Sequence, residues 1–279
     1  MRPVNFNDKQ WRRLIPVSLY QLIHQANFRG STRLKNFLAL HPLDPENWVS
    51  KVISHFAVSN TIFIDIGAQH GRHFLALLES SKANVLVLAC EANKDLVIGM
   101  ERKMQNAIHS GNLHIFHTAV LDYVGQTEFF VNTQDSGYSG LIARDIKKLE
   151  EYFQPCNVNV TTIDEIYKGY QNPVSVIKMD VEGAEFKVLK GACNCIKINK
   201  PIIIFECANN AAPFYDYNLY TLLNWFHKID YLVSTINGVE LNDFNSQHIF
   251  QNNLCHDFVA YHKLVKPQVE LQLKIISAK

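Results

Sequence analysis

This 279-residue chain predicts an α/β fold, a mostly parallel sheet with helices on both faces, on three observations. Short apolar runs rich in β-branched residues alternate with amphipathic helical stretches between residues 61 and 262. Four of those runs end in a carboxylate, at Asp65, Glu91, Asp180 and Glu206. The first run passes directly into a glycine turn and a helix, Thr61-Ile-Phe-Ile-Asp65-Ile-Gly67-Ala-Gln69-His70-Gly71-Arg-His73-Phe74-Leu75.

That first stretch is a nucleotide-cofactor loop. Glycines let backbone approach a ligand where a Cβ would collide, and the helix behind them offers free N–H groups. A dinucleotide fingerprint reads G-x-G-x-x-G with its acid roughly 20 residues further on. Here the pattern is Asp-x-Gly-x-x-x-Gly, with the acid first. A carboxylate at Asp65 repels a pyrophosphate and suits a ligand carrying an ammonium and a sulfonium, which is S-adenosylmethionine. The competing reading is an ordinary strand–turn–helix with a turn-forming Asp-x-Gly.

Length and composition bound the rest. The chain is long enough for one large α/β domain with an appendage. Net charge is +1, so no global field points to nucleic acid. Residues 1–60 nevertheless carry eight Lys/Arg against three Asp/Glu, a basic arm before a mildly acidic domain. The expected division is an arm or lid over 1–58, a cofactor-binding domain over 59–264 and a tail over 265–279. The six cysteines form no C-x-x-C pair, as in a reduced cytoplasmic protein. No signal peptide and no apolar stretch of membrane-spanning length is present.

Within the arm, Trp11, Leu14, Ile15, Leu19, Leu22 and Ile23 make an apolar stripe interrupted at Pro16, and Leu34 to Leu40 suggests another short helix. Such a basic amphipathic arm suits weak contact with an anionic membrane surface or glycan, or it packs as a lid with its charges in water. Strands follow at Val85–Cys90, Leu113–Val120, Thr127–Val131 and Val158–Thr161. Asp95 to about His109 is helical, and Thr162-Ile-Asp-Glu165 reads as a capping box. Residues 132–157 have no clear period and form a long loop, a frequent functional feature of α/β domains. Val174–Met179 and Pro201–Phe205 are further strands, Asp216–Lys228 is a helix, and Tyr231 to Leu241 reads as a hairpin around Asn237-Gly238. Asp257–Tyr261 is the last strand.

In open α/β sheets ligands bind beyond the carboxyl ends of the strands, which gives the four acids a common address. Glu91, on the second strand, is placed to bind both hydroxyls of a ribose. Two neighbouring acids at Asp180 and Glu206 permit general-base catalysis on a hydroxyl, or a hard cation that acidifies it. Glu206 and Glu182 equally serve as loop braces. His70 is a candidate contact in the glycine turn and His73 packs along the helix. The tyrosines of the 132–157 loop, with Phe214-Tyr215, suit stacking on a sugar or burial in the core.

Several motifs together carry a family resemblance. Val176-Ile-Lys-Met-Asp180-Val-Glu-Gly183-Ala-Glu185-Phe-Lys-Val-Leu-Lys-Gly191-Ala resembles the signature of the FkbM-type methyltransferases, as do Asp65-Ile-Gly-Ala-Gln-His-Gly71, Thr162-Ile-Asp-Glu and Pro201-Ile-Ile-Ile-Phe-Glu206. The resemblance covers about residues 60–262. It implies a class I, Rossmann-like fold with a seven-stranded sheet and an antiparallel final strand, and S-adenosylmethionine-dependent O-methylation of a sugar, glycan or secondary-metabolite hydroxyl. It also implies that Asp65, Gly67, Gln69 and Gly71 cradle the methionine end, that Glu91 holds the ribose, that Thr118 to Asp122 faces the adenine, and that Asp180 lies near the transferring methyl group. The chain departs from the family pattern at Gln69, where Asn is usual, and at Ala92, where Pro often stands. A divalent metal is compatible with this site, and none is indicated. An N-methyltransferase and a non-catalytic cofactor- or glycan-binding module are the rival readings.

Overall fold

The computed structural model describes residues 45–79, 84–144, 152–251 and 255–277. The stripes expected at Trp11–Ile23 and Leu34–Leu40 lie outside them. Helix α1 (Pro45–Phe56) leads into strand β1 (Ile62–Ile66), helix α2 (Arg72–Glu79), strand β2 (Leu86–Glu91), helices α3 (Lys94–Lys103) and α4 (Gln105–His109), and strand β3 (Leu113–His117). Strands β4 (Ala119–Val120), β5 (Gly125–Asn132) and β6 (Phe153–Thr161) then form a separate small sheet. Helix α5 (Ile163–Tyr167), strand β7 (Val174–Met179), helices α6 (Glu185–Lys190) and α7 (Cys193–Asn199), and strand β8 (Ile202–Glu206) return the chain to the main sheet. Helix α8 (Leu219–Lys228), strand β9 (Tyr231–Thr235), helix α9 (Asp243–Gln251), strand β10 (Asp257–His262) and helix α10 (Lys266–Ser277) complete it.

The main sheet has seven strands in the order β3-β2-β1-β7-β8-β10-β9. All pairings are parallel except those of β10, which runs antiparallel to both β8 and β9. This is the class I methyltransferase arrangement, with the antiparallel strand last in the chain. The order reverses between β1 and β7, and the crevice at that switch point is where such sheets take ligands.

Both faces of the sheet are buried, as parallel sheets require. Alternation along β1 sends Ile62, Ile64 and Ile66 to one core and Phe63 to the other. The first core is closed by α6, α7 and α8 through Val188, Leu189, Ile196, Leu222 and Phe226. The second is closed by α1, α2 and α10 through Val52, Ile53, Phe74, Leu77, Val269 and Leu273. Where a tail is expected, residues 266–277 are therefore a helix with a buried face.

The structure corrects four local expectations. The helix over 95–109 is two helices, broken at Met104, whose backbone leaves the helical region at φ −116° and ψ 25°. The hairpin over 231–241 does not form a second strand: β9 pairs with β10, and the returning chain makes one bridge, Ser234 to Glu240, before α9 begins. The capping box at α5 is half made. Thr162 Oγ accepts from Glu165 N at 3.0 Å, but the Glu165 carboxylate turns to Lys168. Strand β6 starts at Phe153, inside the expected loop, because its first eight residues pair with β5 from Asn132 back to Gly125.

Candidate active site

A cleft opens at the carboxyl ends of β1, β2 and β7. Its floor is the turn Ile66, Gly67 and Gln69 with Cys90, Glu91 and Ala92 at the end of β2. Thr118 to Leu121 and Phe129 form a largely apolar wall, and Asp180 to Glu182 form the opposite one. Ser136, Gly137, Ser139 and Leu141 cross the top.

Glu91 is 6% exposed, and both its oxygens are engaged. Oε2 accepts from Gln69 N at 2.8 Å and Oε1 accepts from Asn93 N at 2.7 Å. It therefore ties the glycine turn to the start of α3 while lining the cleft. Burial pushes its carboxyl above the usual range, and those two backbone donors hold it down. Each carboxylate oxygen retains a second lone pair for a ligand hydroxyl. Gln69 adopts φ 49°, the left-handed conformation that Asn takes more readily.

Both glycines are packed closely against the protein itself. Gly67 has φ +73°, and a Cβ there would run into the Asp180 carbonyl. Gly71 has φ +75°, and a Cβ there would run into Phe74 and Met104. They let the chain pack on itself, and only Gly67 of the pair lines the cleft.

Asp65 is not at the strand end but inside β1, fully buried, and it does not line the cleft. The ammonium it meets is the protein's own. Lys178 is its register partner on β7, 4% exposed, with Nζ 3.6 Å from Asp65 Oδ1. Burial raises the Asp65 carboxyl, and Lys178 and His73 counteract it. Lys178 also lies 3.5 Å from Asp180 Oδ2 and donates to Gly67 O at 3.3 Å. The sequence did carry a signal for it: a single charge inside the apolar run Val174–Met179, on a strand buried on both faces.

Thr118 lines the cleft with its hydroxyl 2.9 Å from the carbonyls of Ala119 and Asn159, whereas Asp122 is exposed and outside it. His70 is exposed and outside the cleft as well, and His73 is buried beside Ser50 Oγ at 3.1 Å.

Beside the cleft wall formed by Asp180 and Glu182, the carboxylates of Asp180, Glu182 and Glu206 have oxygens within 4.8 Å of one another, the one such group among the described residues that could receive a cation. A quarter of the Glu206 side chain remains open to solvent, yet protein surrounds it on most sides. Burial, then the charges of Asp180, Glu185 and Asp257, drive its carboxyl well above the usual range. Glu185 does not reach the cleft. It is buried behind the turn, accepting from Val181 N at 3.0 Å, Gly183 N at 3.2 Å and Tyr217 OH at 2.7 Å. Arg144 pairs with Glu182 and lies over the Tyr138 ring, so the crossing segment is fastened to the turn after β7. Tyr138 and Phe214 are exposed aromatics on the elements flanking that turn.

Residues 65–233 match the model of the methyltransferase FkbM domain, more than half of the chain. The chain belongs to the FkbM methyltransferase family. The chain matches no curated protein. Among solved structures it is similar to methyltransferase FkbM from Methylobacillus flagellatus KT, at 16% identity and a TM-score of 0.49, over 88% of this chain and 59% of that one. The chain thus spans little more than half of that relative's length. It is also similar to an O-methyltransferase from Bacillus cereus in complex with S-adenosylhomocysteine, at 11% identity and a TM-score of 0.42, over 88% and 97% of the two chains. TrmK from M. capricolum, in complex with the same product, matches at 14% identity and a TM-score of 0.38, over 79% and 68%. Among the described residues no helix is long and apolar enough to cross a membrane.

Proposed function

We propose that this methyltransferase transfers a methyl group from S-adenosylmethionine to a hydroxyl oxygen of a sugar or related polyhydroxyl acceptor. The observation that carries the reading is the convergence of Asp180, Glu182 and Glu206 beside a cleft lined by Gly67, Gln69 and Glu91. The residues suit the cofactor. Glu91 offers two carboxylate oxygens to a ribose diol, and Val120, Leu121 and Phe129 offer an apolar wall to an adenine. When bound, the cofactor supplies an electrophilic methyl on a sulfonium. Glu206 holds its proton to higher pH, which suits it to donate, and Asp180 is assigned the accepting role because it lines the cleft. Asp180 would take the acceptor's hydroxyl proton while the bound cofactor supplies the methyl group. Glu206, protonated, donates a hydrogen bond to a neighbouring acceptor oxygen. Tyr138 and Phe214 offer faces for a sugar ring. Much of the rate then comes from holding the hydroxyl in line with the methyl.

The test is calorimetry with S-adenosylhomocysteine and NAD, then mass spectrometry of methyl transfer across a panel of glycans and polyhydroxyl metabolites. S-adenosylhomocysteine should bind and NAD should not. Asp180→Asn should cut turnover by roughly 10²–10⁴, the range of a general base, with a much smaller loss of cofactor affinity. Tight NAD binding without S-adenosylhomocysteine binding would falsify the cofactor assignment. An intact cofactor site with no transfer to any acceptor on the panel favours a binding module instead.

A further inference from the structure

A lysine is rarely buried without partners, and each partner of Lys178 belongs to a different part of the site. Its ammonium donates to Gly67 O at 3.3 Å and lies at ion-pair distance from Asp65 Oδ1, 3.6 Å, and Asp180 Oδ2, 3.5 Å. Asp65 is behind the cleft, Gly67 is its floor and Asp180 its far wall. A lysine serving only to neutralise Asp65, its direct register partner, has no need to sit equally close to Asp180. The backbone reinforces the same junction. Asp180 N donates to Ile66 O at 3.0 Å, and Gly67 packs on the Asp180 carbonyl.

We propose that Lys178 is a positioning residue that ties the cofactor turn to Asp180, so that the cofactor floor and the acceptor-facing acid keep one fixed geometry. Asp65, buried and with no hydrogen-bond partner for either oxygen among the described residues, is the counter-charge that keeps Lys178 in place. The role assigned to Asp180 rests on the methyl-transfer reading. The tie between the two turns does not.

Lys178→Met alone leaves Asp65 charged and unpaired in the core, a change that threatens folding. The informative comparison is therefore D65N against D65N/K178M, each with and without D180N. If D65N/K178M fails to melt cooperatively, D65L/K178M replaces the buried pair by apolar groups of similar size. Calorimetry with S-adenosylhomocysteine should show D65N/K178M binding at least tenfold more weakly than D65N. Adding D180N should cost at least fivefold in the D65N background and less than twofold once Lys178 is gone. Equal affinity of D65N and D65N/K178M overturns the proposal, as does an equal cost of D180N in both backgrounds. If S-adenosylhomocysteine binds not even the parent, the methyl-transfer reading fails, and hydrogen exchange of the free protein decides the tie. Exchange at residues 67–71 and 180–183 should then accelerate together, at least tenfold, on losing Lys178. Unchanged exchange at either turn overturns it.

Discussion

Glu206 sits where burial and the charge of Asp180 both oppose its ionisation. A carboxyl whose pKa is higher folded than unfolded keeps its proton longer in the folded state, so stability falls as pH rises from the ordinary carboxylate range through the folded pKa. Glu206→Gln removes that penalty. Urea unfolding should find the variant at least as stable as the parent at pH 8, with the advantage vanishing near pH 4, where both states are protonated. The same change should lower methyl transfer, a trade of stability against function common at active sites. Burial raises the Glu91 carboxyl too, and the backbone N–H groups held by both its oxygens partly offset that. Glu91→Gln keeps one acceptor oxygen and loses the charge. Charge-assisted hydrogen bonds contribute roughly 1.5–3 kcal/mol, so calorimetric affinity for S-adenosylhomocysteine should fall by about tenfold or more while the melt stays cooperative. An unchanged affinity removes Glu91 from ribose recognition.

Elements with a local signal were legible in the sequence, and those fixed by distant contacts were not. The strands bearing Asp65, Glu91, Asp180 and Glu206 announce themselves through apolar runs, because a parallel sheet buries both faces. The break at Met104 has no proline or glycine to mark it, and the pairing of β9 with β10 depends on a strand more than 20 residues away. In the site, Glu91 and Asp180 were readable as strand-end acids. Asp65 was misplaced because nothing local distinguishes a strand-end acid exposed to a cleft from one buried one residue earlier. The turn after β7 shows how much depends on a residue that never meets a ligand. Glu185 accepts from two of its N–H groups and from Tyr217, so Glu185→Ala orphans three donors at roughly 1–3 kcal/mol each. A loss of about 4 kcal/mol in urea unfolding is expected, against about 1 kcal/mol for Glu185→Gln, which keeps an acceptor for the two N–H groups. A small loss for both variants assigns the turn's conformation to packing instead.

At the scale of the whole molecule, the rigid seven-stranded sheet supplies the floor of the site and the small β4-β6-β5 sheet supplies its cover. The segment from Ser136 to Arg144 leaves the end of β5 and is pinned at three places. Gly140 exchanges hydrogen bonds with Phe130, Asn132 N donates to Ser139 Oγ, and Arg144 pairs with Glu182. It crosses the cleft and ends beside Asp180 and Glu182. On the proposed reading its position imposes a timetable: a cofactor beneath it is expected to leave only once the Arg144–Glu182 pin opens, whereas the acceptor comes and goes past Asp180. The methylated product should therefore depart first and S-adenosylhomocysteine last, an ordered sequence in which the cofactor product competes with S-adenosylmethionine but not with the acceptor. Arg144→Met should shorten the residence of S-adenosylhomocysteine by about tenfold in stopped-flow displacement, with a smaller effect on its association rate, since interaction losses fall mostly on dissociation. Equal residence times in parent and variant would mean that the covered end of the cleft is not the exit.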